Sequence, residues 1–481
     1  MNLKSKAVYS AAFIALSVMI QRTLTFVTKI VLARLLAPAD FGLIAVALLT
    51  VNSIALFRDF GIGATLIYKD DDSEYTAANT ALVLLPVIAG ILLILAYISA
   101  PFVADFFKNS FVKPIVRVLA FTLLINSFST VPSQLLDKEL EFKKKVLPET
   151  VPKVAYGIIS ITLAWIGFGV WSIVYGEIAL SLLSVVLVWA VSDWRPTFRF
   201  NIKAAYDLLD YGKYILGTTI LMFFITNIDN AIVARMLGTE VLGIYTMAYA
   251  ISTLLATQTT FMIDKVMFPT YIKLQGDRDA VKRAYIKTLK YVSMVSIPAT
   301  VGIFAIAPDF VSVVLGDKWT SAVIPIQILS IFGLSKSIAA SNGSLRNSLG
   351  RPDIEVKLTL LQIMIFLIIF YPLTIYKGII GMCIAVLVSA LITHISSFII
   401  NQQLFDIKII DVVKAIYIYF LNALLMLLIL YVNHSFIQQI SQFSRLILLI
   451  AIGFIAYVFL CYFTSKSTII ELLQIVRVEK E

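Results

Sequence analysis

A chain of 481 residues in which 60% are hydrophobic and only 14% charged falls outside the soluble range, where roughly 45–50% apolar and about 25% charged residues are usual. With a mean hydropathy of +0.93, an ordinary soluble fold is excluded, and membrane spans replace domains of ~150 residues as the unit to count.

At the N-terminus, Lys4 and Lys6 precede an apolar run in the manner of a signal peptide. No small-x-small site ends that run, and the pattern passes through Arg22 to Leu36, too long for an h-region, so an uncleaved first span is expected. Segments of spanning length follow at 7–35, 41–66, 78–100, 112–136, 149–166, 169–190, 211–237, 242–268, 288–315, 322–345, 356–376, 379–403, 412–432 and 444–464. The fold class is therefore an all-α integral membrane protein of about fourteen transmembrane helices. Internal prolines such as Pro86 and Pro298 are compatible with this, because neighbouring helices and hydroxyl side chains can satisfy the freed carbonyls. Cys383 and Cys461 both lie in apolar runs, where a free thiol behaves as a small hydrophobe.

Basic residues alternate between the loops. With the N-terminus inside, the cytoplasmic segments carry Lys138, Lys143, Lys144 and Lys145, then Arg195, Arg199 and Lys203, then Lys273, Arg278, Lys282, Arg283 and Lys287, then Arg346, Arg351 and Lys357. The opposite loops offer little beyond Lys108, Lys113, Lys318 and Lys377, with Arg34, Arg235 and Arg445 at helix ends. This is the positive-inside pattern, in phase through every span, and it places both termini in the cytoplasm. The formal net charge of +10 is thus mostly a topology signal and not a nucleic-acid footprint. Trp165, Trp171, Trp189, Trp194 and Trp319 fall near span ends, at headgroup level.

A repeat appears at an offset of 201, VLARLLAPADFGL (31–43) against IVARMLGTEVLGI (232–244), with Ala33/Ala234, Arg34/Arg235, Leu36/Leu237 and Gly42/Gly243 identical. Each copy forms the first hairpin of a run of six helices, which implies two parallel-repeat lobes around a central cavity. The expected organisation is an N-lobe at 1–192, a charged cytoplasmic linker at 193–213, a C-lobe at 214–405, and two extra helices with a cytoplasmic tail at 406–481.

The chemistry concentrates in 30–67. Pro38 and Asp40 mark a bend, with Asp40 placed to cap the helix starting near Phe41. Arg58 and Asp59 come about 17 residues later, which at ~1.5 Å per residue sets them well inside the bilayer. Arg22 and Lys29 lie seven apart and share a helix face. A charge at a lipid-facing midplane costs roughly 2.5–3.5 kcal/mol, so such residues point to a water-filled basic cavity. Snorkelling or a local Arg58–Asp59 pair is the alternative, although Arg22, about fifteen residues into its helix, is too deep to snorkel. Lys336 belongs to the same argument, and Lys265 serves either the cavity or the interface. Asp229, flanked by Asn227 and Asn230, is a deep carboxylate that can carry a proton, coordinate Na⁺ or pair with a cavity cation. His394 reads as a satisfied core histidine, Glu177 as too near a helix end to weigh, and His434 as an outer-loop residue. The sequence carries no Walker A loop, G-x-S-x-G, H-E-x-x-H or paired-cysteine metal spacing, and no cofactor is expected.

Five stretches, LARLLAPADFGL (32–43), RDFGIGATLI (58–67), PSQLLDKELEFKK (132–144), GDKWTSAVIPIQIL (316–329) and SLGRPDI (348–354), together resemble the polysaccharide transporter family of the multidrug/oligosaccharidyl-lipid/polysaccharide exporter superfamily, in particular its colanic and teichuronic acid exporter-like branch. The family often has Arg where this chain has Lys138. The resemblance implies two six-helix lobes plus two helices, a bacterial cytoplasmic membrane, and flipping of undecaprenyl-diphosphate-linked oligosaccharide to the outer leaflet by alternating access. It also implies membrane lipids, a glycan polymerase and export machinery as partners, and no enzymatic activity. On that reading Arg22, Lys29, Arg58, Lys336 and Lys265 meet the diphosphate. Asp229 and Asn230 couple transport to Na⁺ or H⁺, and the last two helices line a groove for the polyprenyl tail. A cation-coupled multidrug exporter of the same superfamily is the alternative, followed by a membrane glycan polymerase or ligase. A site for organic cations should be acidic or aromatic, whereas this one is basic.

Overall fold

Helices, and no strands, form the described residues of the computed structural model, which are 3–68, 75–197, 199–437, 439–466, 468 and 470–471. Side chains of 3–16 and of several further helical residues, Lys265 among them, lie outside that description. The chain divides into two compact units, Met1–Gly243 and Ile244–Glu481.

The first unit holds α1 (Leu3–Leu35), α2 (Pro38–Asp59), α3 (Ile62–Tyr68), α4 (Thr76–Phe106), α5 (Val112–Leu119), α6 (Phe121–Lys138), α7 (Phe142–Trp165), α8 (Trp171–Val191) and α9 (Ile202–Leu237). Their starts follow local chemistry. Pro38 occupies the first turn of α2, where its missing N–H costs nothing, and the Ala37 N–H donates to Asp40 Oδ2 at 2.9 Å. The helix thus begins three residues earlier than expected, with Asp40 reaching back to the residue before it. At the other end, α2 stops at Asp59, because Phe60 (φ 44°) and Gly61 (φ 71°) take left-handed backbone before α3 starts. The expected continuous helix over 41–66 is therefore broken. The break is packed: a Cβ on Gly61 would lie 2.8 Å from the Gly212 Cα of α9. Of the expected linker 193–213, only the part up to Asn201 is irregular. From Ile202 it is the start of α9, capped by the Asn201 side chain accepting from Lys203 and Ala204 N–H groups. A core of Ile62, Ala81, Leu85, Val131, Leu135 and Trp194 joins α3, α4 and α6. The Lys144 ammonium, bonded to Asp193 at 2.5 Å, ties the segment after α8 to α7 and holds the Asp193 carboxyl below the usual carboxylate range.

The second unit holds most of α10 (Thr239–Lys273), α11 (Arg278–Phe310), α12 (Val323–Ser348), α13 (Pro352–Phe405), α14 (Ile409–Phe436) and α15 (Gln442–Thr464). Within α13, Gly378 (φ 55°, ψ −132°) reverses the chain, so this element of 54 residues is two passes rather than one. The last two helices pack on α11 through Ile297, Tyr419, Met426, Leu449 and Tyr457. Where they meet, the buried Asp309 accepts from Arg445 Nε at 2.7 Å, and His434 Nε2 stands 3.5 Å from its other oxygen. His434 is thus in the last turn of α14 and not in an outer loop.

Eleven helices among the described residues are long and apolar enough to cross a membrane. The Gly378 reversal doubles one of them, and α1 (33 residues) and α7 (24 residues) are also of spanning length, which accounts for the expected fourteen passes. Outward faces such as Ile91, Ile94 and Ile98 on α4, or Phe454, Ile455 and Phe459 on α15, are exposed and apolar, as lipid contact requires.

Candidate functional site

Helix α1 presents two adjacent stripes. Gln21 and Thr28, seven apart, are buried against α7: Gln21 Nε2 donates to Thr150 Oγ1 at 3.1 Å, and a Cβ on Gly157 would come within 2.8 Å of Thr28 Oγ1. Arg22 and Lys29 sit one position further on in each case, about 100° round the helix, on the flank of that contact, and both are half-buried. From α7, Lys153 donates to Gln21 Oε1 at 2.5 Å and lies close enough to Arg22 to repel it electrostatically. Two cations from different helices are thus brought together in an apolar unit, with Lys29 a further ~10 Å along α1. Glu149 (Oε2 at 3.4 Å from Gln21 Nε2) supplies a carboxylate nearby, itself reached by Lys145 at 3.8 Å. Lys153 was not among the residues the sequence singled out. Its signal was present, however, as a lysine four residues after Glu149, inside the expected span 149–166.

Arg58 occupies the last turn of α2, twenty residues after Pro38, rather than the middle of a longer helix. A cation there complements the helix C-terminus. Its Nε is buried and has no hydrogen-bond partner among the described residues, a costly state for a guanidinium donor unless an anion visits. The neighbouring Asp59 acts on Arg58 by charge, while its Oδ1 accepts the Gly63 N–H at 3.3 Å and so caps α3.

In α9, Asp229 Oδ1 accepts the N–H of Asn230 at 2.8 Å, and both residues are half-buried. Asn227 instead donates to the Phe223 carbonyl at 2.9 Å. Asp229 and Asn230 thus share the first unit with Arg22, Lys29 and Arg58. Lys336 lies in the second unit on α12, half-buried and near enough to His394 of α13 to act on it by charge. His394 Nδ1 is 3.3 Å from Ser335 Oγ, the satisfied histidine that the sequence suggested. The call on Lys265 falls on a side chain outside the described residues.

Arg346 departs most from expectation. Read as a cytoplasmic loop charge, it lies inside α12 and is 2% exposed. Its Nε donates to Glu355 Oε1 at 2.9 Å, and Nη1 donates to Ser397 Oγ and Asn401 Oδ1, both at 2.9 Å. Asn342 and Tyr285 complete a buried polar network across α11, α12 and α13. No polar side-chain atom of this network is buried without a hydrogen-bond partner, so it fixes helices rather than waiting for a ligand. Among the described residues there is no cluster of three or more His, Cys, Asp or Glu that could hold a metal.

Comparison with known proteins adds to this geometry. A family described as "Polysaccharide biosynthesis protein" matches residues 31–324. The teichuronic acid biosynthesis protein TuaB of Bacillus subtilis (strain 168) is 29% identical over 300 residues, 62% of this chain and 62% of that protein, so less than two thirds of its length is matched. The lipopolysaccharide biosynthesis protein WzxC of Escherichia coli (strain K12) is 26% identical over 370 residues, 76% of this chain and 75% of that protein. Among solved structures, the lipid II flippase MurJ in an inward closed conformation superposes with a TM-score of 0.76 over 95% of this chain and 100% of that one, at 14% identity, a likeness of fold.

Proposed function

Since the chain belongs to the family of polysaccharide biosynthesis proteins, we propose that it is a flippase for undecaprenyl-diphosphate-linked oligosaccharide, working by alternating access in surface polysaccharide biosynthesis. The observation that carries this reading is the cationic stripe of Arg22 and Lys29, with Lys153 beside it, in a unit whose other interior contacts are largely apolar. A diphosphate bears two or more negative charges. Arg grips it with paired N–H groups and Lys acts as a point charge. Arg58, with a buried donor unmet, joins that set. A drug exporter for organic cations would need the opposite sign of charge, and MurJ, one neighbour in fold, is named for a lipid-linked substrate.

The membrane is the bacterial cytoplasmic membrane, with both termini inside, a reading supported by the Lys/Arg alternation. Asp229 and Asn230 couple transport to Na⁺ or H⁺, and a glycan polymerase takes the flipped unit. Depletion of the protein in its host tests the reading. Mass spectrometry should then find an undecaprenyl-diphosphate oligosaccharide accumulating with its glycan facing the cytoplasm. Accumulation of a finished polymer, or of no lipid-linked glycan, would overturn it.

A further inference from the structure

In the second unit, away from the residues above, α11, α14 and the residues Thr468 and Glu471 line an open cavity of about 750 Å³. It lies at the Lys/Arg-rich ends of these spans. From α11 come Lys282, Arg283, Lys287 and Lys290, and from α14 comes Lys414. Three carboxylates, Asp279, Asp411 and Glu471, also line it. Two lysines are engaged, Lys282 with Asp411 Oδ2 at 2.9 Å and Lys287 with Glu471 Oε2 at 3.2 Å, and Arg283 leans towards Asp277 at 3.9 Å. Bonds from Lys287 and then Tyr291 hold the Glu471 carboxyl below the usual range, so it stays anionic and keeps Lys287 occupied. Lys290 and Lys414 are left with no carboxylate within 4.0 Å among the described residues. They stand on two different helices around one cavity.

We propose that this cavity binds the headgroup of an anionic glycerophospholipid, with Lys290 and Lys414 taking its phosphodiester. Five cations against three carboxylates leave a surplus of two, a net positive site that attracts an anionic headgroup. A lipid source is favoured over a free ion because α14 continues beside the cavity with the exposed apolar residues Ile410, Val413 and Tyr417, a surface for an acyl chain. Basic pockets between helices at the inner membrane face bind such headgroups by the same physics. Bound there, the lipid would join α11 to α14 and to Thr468 and Glu471, holding the last two helices in place.

Native mass spectrometry of the full chain in neutral detergent tests this without any transport assay, so its outcome is independent of the flippase reading. With phosphatidylglycerol and phosphatidylcholine at equal concentration, the protein should retain the anionic lipid preferentially. Lys290→Gln with Lys414→Gln should weaken that retention by roughly tenfold or more, and Lys290→Arg with Lys414→Arg should preserve it. If the double Gln variant does not purify as a monodisperse protein, each single Gln variant is read in the same way and should lose part of the preference. Equal retention of the two lipids, or Gln variants that hold phosphatidylglycerol as the native chain does, would overturn the proposal. So would inorganic phosphate binding with the same lysine dependence, or undecaprenyl diphosphate depending on these lysines more strongly than phosphatidylglycerol.

Discussion

Gly42 and Gly243, the paired glycines of the two repeat copies, face each other in reciprocal contact. A Cβ on Gly42 would run into the Thr239 carbonyl oxygen and lie 3.2 Å from Gly243 N; a Cβ on Gly243 would run into the Pro38 carbonyl oxygen and lie 2.9 Å from Gly42 N. Each helix start therefore rests on the glycine of the other, the exchange of roles that a local two-fold relation produces. Neither position needs an unusual backbone angle, so only the close approach demands glycine. Gly42→Ala or Gly243→Ala should lower stability by about 1–3 kcal/mol through overpacking, although Ala is the better helix former. The double variant should fall short of the sum, because both side chains push the same pair of turns apart. Melting of the purified variants in detergent checks this, and a neutral or stabilising Gly42→Ala would contradict the contact.

Arg346→Ala should be among the most destabilising single substitutions in the second unit. It strands Ser397 and Asn401 in the interior and removes the partner of Glu355. The expected loss is roughly 2–4 kcal/mol, below the ~3–5 kcal/mol of a fully buried pair because Glu355 is 34% exposed. Arg346→Lys should recover little, since an ammonium cannot span three acceptors in a plane. The detergent melting temperature is again the measurement.

The passes and their order could be read from apolar length and lysine alternation, and the bend at Pro38 from its turn residues, because these signals are local. The break at Phe60–Gly61 could not. Hydrophobicity runs straight through it, and the left-handed Phe60 is held by packing against Gly212, some 150 residues away in sequence. Lys153 was missed for a similar reason. Its meaning comes from lying beside Arg22, a neighbour set by the packing of α1 on α7. Arg346 was misplaced because a charge at the end of an apolar run looks like a loop residue until its acceptors on α13 are seen. That Arg22 and Lys29 share one face of α1 was legible, since seven-residue spacing fixes a shared face wherever the helix packs.

Topology gives a direct check on the in-phase lysines. Single cysteines at Lys144, Arg283 and Lys357 should react with an impermeant maleimide only from the cytoplasmic side, and one at Asp317 only from outside. Reversal at any of the four would refute the orientation.

The proposed coupling to Na⁺ or H⁺ assigns its role to Asp229. Asp229→Asn removes the charge at nearly constant volume and keeps an acceptor for the Asn230 N–H. Flipping driven by an imposed Na⁺ or H⁺ gradient in proteoliposomes should lose its dependence on the gradient. Unchanged gradient dependence would make Asp229 a structural partner instead.

The central claim is that Arg22 and Lys29 bind a diphosphate by charge rather than hold the fold. Gln21 and Thr28 make described contacts that pack α1 on α7, so neutralising Lys29 should leave expression and melting temperature nearly unchanged. Loss of one charge-assisted contact is worth about 1.5–3 kcal/mol, or roughly ten- to hundredfold in binding. The deciding measurement is translocation of lipid-linked oligosaccharide by Arg22→Gln and Lys29→Gln at matched protein levels, with Lys29→Arg as the charge-keeping control. A steep loss in both Gln variants, with much of the activity kept by Lys29→Arg, is the predicted result. Near-normal flipping by both Gln variants would contradict it.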